Sequence, residues 1–118
     1  MCQLTENHTV YVTTPIPEML VNVPDFMSNR MLGQNDFSDY KTLLSDHYLR
    51  NKYALNLLQK TKEVCGINLL ETEEYLCSNG RCNGSIDGRP IYFDGDHLSE
   101  FGNKQLSPMF KNLLSKEE

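Results

Sequence analysis

The chain has 118 residues, 39% of them hydrophobic and 23% charged, which is a globular composition with room for one hydrophobic core at most. Its formal net charge of −5 argues against a nucleic-acid partner, because such proteins bind phosphate through Lys and Arg. No apolar run approaches the ~18 residues of a membrane span, and the polar N-terminus MCQLTENHTV lacks the apolar core of a signal peptide.

The N-terminal third predicts one strand and a long connection. Residues 9–14 are mostly β-branched or aromatic, which favours a strand. The Pro-Ile-Pro run at 15–17 ends it, because proline has no N–H to donate to a neighbouring strand. Residues 18–42 mix turn-forming and apolar residues, so we expect a long, partly helical connection.

The middle of the chain predicts a single helix over residues 45–63. Leucines and tyrosines recur there at helical spacing, Ser45 is a suitable N-cap, and Gly66 is a suitable stop. His47 stands near the start of this helix, apart from other metal-ligating residues, and is expected on the surface.

The C-terminal half alternates short strands with helices. Residues 67–70 and 89–93 are predicted strands, and residues 71–76 a turn or short helix between them. Ser99 is predicted to cap a further helix, which Pro108 interrupts. Strands that alternate with helices favour the α/β class with a parallel sheet.

Cys77 and Cys82 form the candidate disulfide of the sequence. The Ser-Asn-Gly run between them is typical of a tight turn, and closing so short a loop would stabilise the fold by about 2 kcal/mol. Free buried thiols or a zinc ligand pair are the alternatives, although Cys2 and Cys65 supply no obvious second pair of ligands. An oxidised pair would indicate a compartment outside the cytoplasm.

The densest cluster of reactive side chains lies in the segment YFDGDHLSEFG at residues 92–102. Catalytic groups of α/β folds gather after the carboxyl ends of strands. The three-residue spacing of Asp94 and His97 lets the carboxylate accept a hydrogen bond from Nδ1–H, which leaves Nε2 as a general base. The same spacing also suits a capping or surface role.

A calcium-loop pattern is weaker. It runs through Asn83, Ser85, Asp87, Gly88 and Asp94. The final residue should be Glu, and Pro90 interrupts the loop, so no metal site and no cofactor are expected.

Three features resemble the SGNH hydrolase-like domain fused to bacterial membrane acyltransferases that O-acetylate lipopolysaccharide and other surface glycans. The first is a strand ending in a Pro-Ile-Pro-Glu element, VTTPIPE at 12–18; the second is a Cys pair before the last motif. The third, and most specific, is PIYFDGDHLSEFG at 90–102, which resembles that family's final Asp-x-x-His block. Together they span residues 9–114.

The resemblance implies that Asp94 and His97 are the triad acid and base. The family's nucleophilic serine lies in a Gly-Asp-Ser block, but the Gly-Asp at 95–96 continues into His97 instead. We therefore expect residues 1–118 to form a single SGNH-like domain, the C-terminal portion of a three-layer α/β/α (flavodoxin-like) fold. Its sheet would be mostly parallel, with the N-terminal strands missing, and the isolated chain would be inactive.

In the intact parent, the resemblance implies a glycan acceptor and an acyl donor as substrates. It also implies a location on the periplasmic side of the inner membrane, beside a membrane acyltransferase domain. Two other hypotheses stay open: a small non-catalytic binding or structural module, and one half of a split enzyme whose N-terminal half is a separate chain.

Overall fold

The computed structural model describes residues 2–117 as an alternation of helices with very short strands. The helices are α1 (Gln3–Asn7), α2 (Val23–Gln34), α3 (Leu44–Arg50), α4 (Lys52–Cys65), α5 (Glu73–Leu76), α6 (Glu100–Gln105) and α7 (Ser107–Glu117). The strands are β1 (Tyr11–Thr13), β2 (Lys41–Leu43), β3 (Asn68–Leu70), β4 (Cys77–Ser78), β5 (Arg81–Asn83), β6 (Ser85–Ile86) and β7 (Arg89–Pro90). The predicted strands at 9–14 and 67–70 are confirmed as β1 and β3.

The strands form three small sheets rather than one. β1 and β3 pair in parallel, β2, β5 and β4 form an antiparallel sheet in that order, and β6 pairs with β7. The α/β class is confirmed, but among the described residues the parallel part is one pair of strands. The mostly parallel three-layer sheet stays a prediction.

Two tight hairpins account for the antiparallel pairs near the cysteines. Asn79 and Gly80 join β4 to β5 with φ values of 53° and 77°, and Asp87 and Gly88 join β6 to β7 with φ values of 50° and 81°. Positive φ at both central residues defines the type I′ turn, which matches the twist of paired strands. Two-residue turns can join only antiparallel strands, so the local turn chemistry sets this pairing.

The predicted helix at 45–63 is two helices, because the helical conformation is interrupted at Asn51. α3 begins after Leu43, so Ser45 lies inside the first turn and does not cap it. Gly66 does end α4, with a φ of 76°. The predicted surface position of His47 is wrong: the residue is 2% exposed, because α3 turns its Leu44–His47 face inward.

The core lies between the connection after β1, the hairpins and the C-terminal helices. Its buried members are Met19, Val23, Met27, Leu76, Cys82, Ile91, Tyr92, Leu106 and Met109. The predicted pair Cys77–Cys82 is disulfide-bonded and places Cys82 in this core. Cys2 and Cys65 form a second disulfide that ties the N-terminus to the end of α4.

The molecule exposes more surface than a self-contained domain of its size. Its Cα radius of gyration is 16.6 Å, against about 13.5 Å expected for a compact domain of this length. Its accessible surface is 7949 Å², whereas about 6,600 Å² is expected for a monomer of this mass. Within residues 2–117, no helix is both long and apolar enough to cross a membrane.

Candidate active site

A tight loop at residues 92–98 carries the Asp94–His97 pair. Tyr92 and Leu98 form an antiparallel bridge at its base, and the Phe93 N–H donates to the His97 carbonyl at 2.8 Å. The predicted strand at 89–93 is therefore shorter than expected. β7 ends at Pro90, and the chain turns back on itself two residues later, where backbone bonds close the loop.

The loop is held against the Pro-Ile-Pro segment, which lies more than 70 residues earlier in the sequence. The buried Tyr92 hydroxyl donates to the Pro17 carbonyl, and the Met19 N–H donates to the Gly95 carbonyl at 2.7 Å. A Cβ at position 95 would lie 3.0 Å from the Val21 carbonyl oxygen, so glycine allows this close approach. Two of the motifs that carried the family resemblance are thus in direct contact.

Asp94 organises the loop with both carboxylate oxygens. Its Oδ1 accepts from the backbone N–H groups of Asp96 at 2.9 Å and His97 at 2.8 Å, and its Oδ2 lies 2.9 Å from His97 Nδ1. These bonds, led by the one from the Asp96 N–H, lower the pKa of Asp94 to about 2. The carboxylate is therefore ionised at any physiological pH.

His97 faces two carboxylates through the same ring nitrogen. Asp96 Oδ1 also lies 2.9 Å from Nδ1, a contact that spacing arguments missed although Asp96 precedes His97 directly. The hydrogen bond to Asp94, followed by the charges of Asp94 and Asp96, raises the pKa of His97 above its usual value. Nδ1 thus keeps its proton as a donor, and Nε2 of the neutral ring is the basic nitrogen.

The helix that follows is capped as predicted. The Ser99 hydroxyl accepts from the Gly102 N–H at 3.0 Å and starts α6. A Cβ at position 102 would lie 1.9 Å from the Ile91 carbonyl oxygen, so only glycine fits where α6 meets the loop. The terminal glycine of the motif therefore has a packing role.

A cleft of about 350 Å³ opens beside the pair. It is lined by Thr13, Ile16, Thr72, Asp96, His97, Leu98, Asn103, Leu106 and Phe110. Thr13 ends β1 and Thr72 follows β3, so the cleft lies at the carboxyl ends of the parallel strands, where α/β folds bind ligands. No serine is among its lining residues in the described part of the chain.

Asp94, Asp96 and His97 could each offer one ligand atom to a cation, since these atoms lie within 4.8 Å of one another. Both carboxylates already bind the Nδ1 proton, which a cation would have to displace. The segment of the calcium-loop pattern folds as a hairpin instead. Its Ser85 hydroxyl and Gly88 N–H donate to Asp39, a residue that the sequence reasoning missed.

The family described as "SGNH domain (fused to AT3 domains)" matches residues 1–112. A solved structure, the periplasmic domain of a lipopolysaccharide acetyltransferase from Salmonella ser. Paratyphi A, is similar with a TM-score of 0.68 and 20% sequence identity. The similarity covers 92% of this chain and 42% of that one, and at this identity it shows the fold. Comparison with curated proteins finds no match. The chain belongs to the family of SGNH domains found fused to AT3 domains.

Proposed function

We propose that this chain supplies the acid–base part of an SGNH domain that transfers an acyl group to a cell-surface polysaccharide. The observation that carries the proposal is the 2.9 Å contact between His97 Nδ1 and Asp94 Oδ2 at the edge of the cleft. Membership of the SGNH family and the likeness to a lipopolysaccharide acetyltransferase domain support acyl transfer as the reaction.

In the intact domain, His97 would serve as base and then as acid. Nε2 accepts the proton of the serine hydroxyl as its oxygen attacks the acyl carbonyl, and returns that proton to the leaving group of the donor. In the second half, Nε2 takes the proton of the sugar hydroxyl that attacks the acyl-serine, and the departing serine oxygen receives it. Asp94 and Asp96 stabilise the imidazolium ion in both halves.

The nucleophile would come from a portion of the domain that this sequence does not contain. The chain has no Gly-Asp-Ser motif and spans 42% of the similar Salmonella domain. Its surface exceeds that of a complete domain by about 1,400 Å², more than the ~800 Å² that one partner buries in a standard interface. These observations support residues 1–118 as the C-terminal portion of one SGNH domain, completed by an N-terminal portion.

Location and partners follow from the same proposal. The similar Salmonella domain is periplasmic, and the bonded cysteines are typical of an oxidising compartment. We therefore place the intact protein on the periplasmic side of the inner membrane, next to a membrane acyltransferase domain.

The test has two parts. First, the isolated chain should hydrolyse p-nitrophenyl acetate no faster than its His97→Ala variant. Second, the chain is grafted into the Salmonella domain in place of the matching segment, and acetyl transfer to polysaccharide is measured. His97→Ala should lower that rate by about 10³-fold, whereas the control His8→Ala, an exposed histidine outside the cleft, should not change it.

Two outcomes would contradict the proposal. Clear turnover by the isolated chain that His97→Ala abolishes would show that no second portion is needed. A folded, active chimera that is indifferent to His97→Ala would favour the binding or structural module, in which Asp94 only orders the loop. In that case Asp94→Ala should lower the free energy of unfolding and leave transfer unchanged.

A further inference from the structure

A second cleft of about 460 Å³ lies beside the first and has no role in the proposed reaction. Its lining residues are Tyr11, Lys62, Asn68, Leu69, Leu70, Glu71, Glu74, Tyr75, Met109, Asn112 and Leu113. Both clefts fall in the usual size range of ligand pockets.

The two clefts are neighbours along the β1–β3 pair. The parallel register places Tyr11 beside Asn68, Val12 beside Leu69 and Thr13 beside Leu70. Tyr11, Asn68 and Leu70 line the second cleft, whereas Thr13 lines the cleft at His97. The clefts are therefore neighbours, about 7 Å apart along β1.

Helix α7 forms the opposite wall of both clefts. Phe110 lines the cleft at His97, whereas Asn112, Leu113 and the buried Met109 line the second cleft. Since a helix rises 1.5 Å per residue, the step from Phe110 to Leu113 along α7 spans about 4.5 Å. One helix thus lines both clefts.

The chemistry of the second cleft suits a neutral, hydroxyl-rich ligand. Tyr75 is half-buried, and Asn112 Nδ2 approaches its hydroxyl at 3.5 Å. Amide groups both donate and accept hydrogen bonds, as sugar hydroxyls require, and a tyrosine ring offers an apolar face to sugar C–H groups. The lining carries two glutamates, Glu71 and Glu74, and one lysine, Lys62. It is therefore acidic and unfavourable to phosphate or uronic acids.

We propose that the cleft at Tyr75 and Asn112 binds neutral pyranose residues of the acceptor polysaccharide, next to the residue that is acylated at His97. This inference rests on the proposed function, and it names an acceptor subsite that positions the chain. Tyr75 supplies the stacking face, and Asn112 hydrogen-bonds the sugar hydroxyls.

Binding is measured on the isolated chain by NMR titration with neutral, de-O-acetylated O-polysaccharide from Salmonella lipopolysaccharide. The Tyr75 ring and Asn112 amide signals should shift, and Tyr75→Ala should weaken binding at least tenfold. Tyr53→Ala is the matched control, since Tyr53 is 82% exposed on α4 and lines neither cleft. Tyr75→Phe should retain the affinity, because the ring remains, and the exposed Asn112→Ala tests the cleft without removing core packing.

Several results would overturn the inference. One such result is that Tyr75→Ala and Tyr53→Ala weaken binding equally. A second is that the signal shifts are confined to residues around His97. A third is that acidic polygalacturonate binds as tightly as the neutral polysaccharide. In the Salmonella chimera, Tyr53→Ala should leave the KM for polysaccharide unchanged and Asn112→Ala should raise it. If Asn112→Ala leaves the KM unchanged, the subsite is overturned. If transfer in the same chimera still depends on His97, the proposed function stands. Polysaccharide binding without His97-dependent transfer overturns the proposed function instead.

Discussion

The loop at residues 92–98 and helix α3 each carry a histidine, in opposite environments. The His97 side chain is 73% exposed, and the hydrogen bond and charge of Asp94, with the charge of Asp96, raise its pKa. His47 is 2% exposed, and burial is the main cause that lowers its pKa. The neighbouring carboxylates of Asp94 and Asp96 therefore favour the charged ring of His97, whereas burial away from water favours the neutral ring of His47.

The hydrogen bonds of the two rings differ in the same way. His97 Nδ1 donates to carboxylates. His47 Nδ1 lies 3.1 Å from Asn51 Nδ2, which is a donor, so His47 accepts there and carries its proton on Nε2. That Nε2 has no hydrogen-bond partner among residues 2–117. The loop thus holds an exposed ring by hydrogen bonds to carboxylates, whereas α3 holds a neutral, partly unsatisfied ring in place by packing.

The two disulfides repeat this contrast between local and distant contacts, and removing them gives the largest expected effect. Cys2–Cys65 closes a loop of 63 residues, and Cys77–Cys82 closes one of 5. Because a longer closed loop restricts the unfolded chain more, Cys2→Ala with Cys65→Ala should cost about 4 kcal/mol and Cys77→Ala with Cys82→Ala about 2 kcal/mol. Urea unfolding without reductant measures both. A larger loss of unfolding free energy on removing Cys77–Cys82 than on removing Cys2–Cys65 would contradict this prediction.

The pH dependence of stability separates the two histidines. The lowered pKa of His47 means that the unfolded state takes up the proton more readily, so its contribution is lost as pH falls below the ordinary histidine value. Desolvation is the largest cause of the lowered pKa of His47. The charge of Arg50 lowers this pKa further, whereas the charges of Glu73 and Glu18 raise it. His47→Phe should therefore reduce the loss of stability between pH 7 and pH 5.

The raised pKa of His97 acts in the other direction, since its contribution is present below the ordinary value and is lost as pH rises through the raised pKa.

The matched control for His47→Phe is His8→Gln, which changes an exposed histidine. Urea unfolding at both pH values is the measurement. A pH response of His47→Phe equal to that of wild type and His8→Gln would show that His47 is not buried as a neutral ring.

The smallest effect concerns the two carboxylates beside His97. Asp94→Asn should lower the pKa of His97 more than Asp96→Asn, because the Asp94 hydrogen bond and charge are the leading causes of its shift. Both replacements keep the side-chain shape, and NMR titration of the His97 Cε1–H signal measures the pKa in each variant. A larger shift from Asp96→Asn would make Asp96 the principal partner of Nδ1.

Much of the candidate site was predictable because its contacts are short-range in sequence. The Asp94–His97 bond spans three residues, as does the Ser99 cap on Gly102. Such bonds depend on local spacing and on turn or cap chemistry. The same reason explains the correct prediction of the Asn79–Gly80 turn and of the stop at Gly66.

Features that depend on distant partners were missed. The leucine and tyrosine periodicity ran through Asn51 without showing that the helix breaks there and turns His47 inward. Asp39 holds the β6–β7 hairpin from 46 to 49 residues away in sequence. Asp96 is the exception, since it directly precedes His97; the conformation of the loop brings its Oδ1 to 2.9 Å from Nδ1.

The sequence by itself determined the α/β class, the positions of β1 and β3, the Asp94–His97 pair and the family resemblance, since each rests on neighbouring residues or a contiguous motif. Only the tertiary structure decided that β2 adds to the β4–β5 hairpin, that His47 is buried, and that two clefts are neighbours along β1. The physical reason is that burial and the closeness of distant segments arise only when the whole chain packs, and a linear pattern does not record that packing.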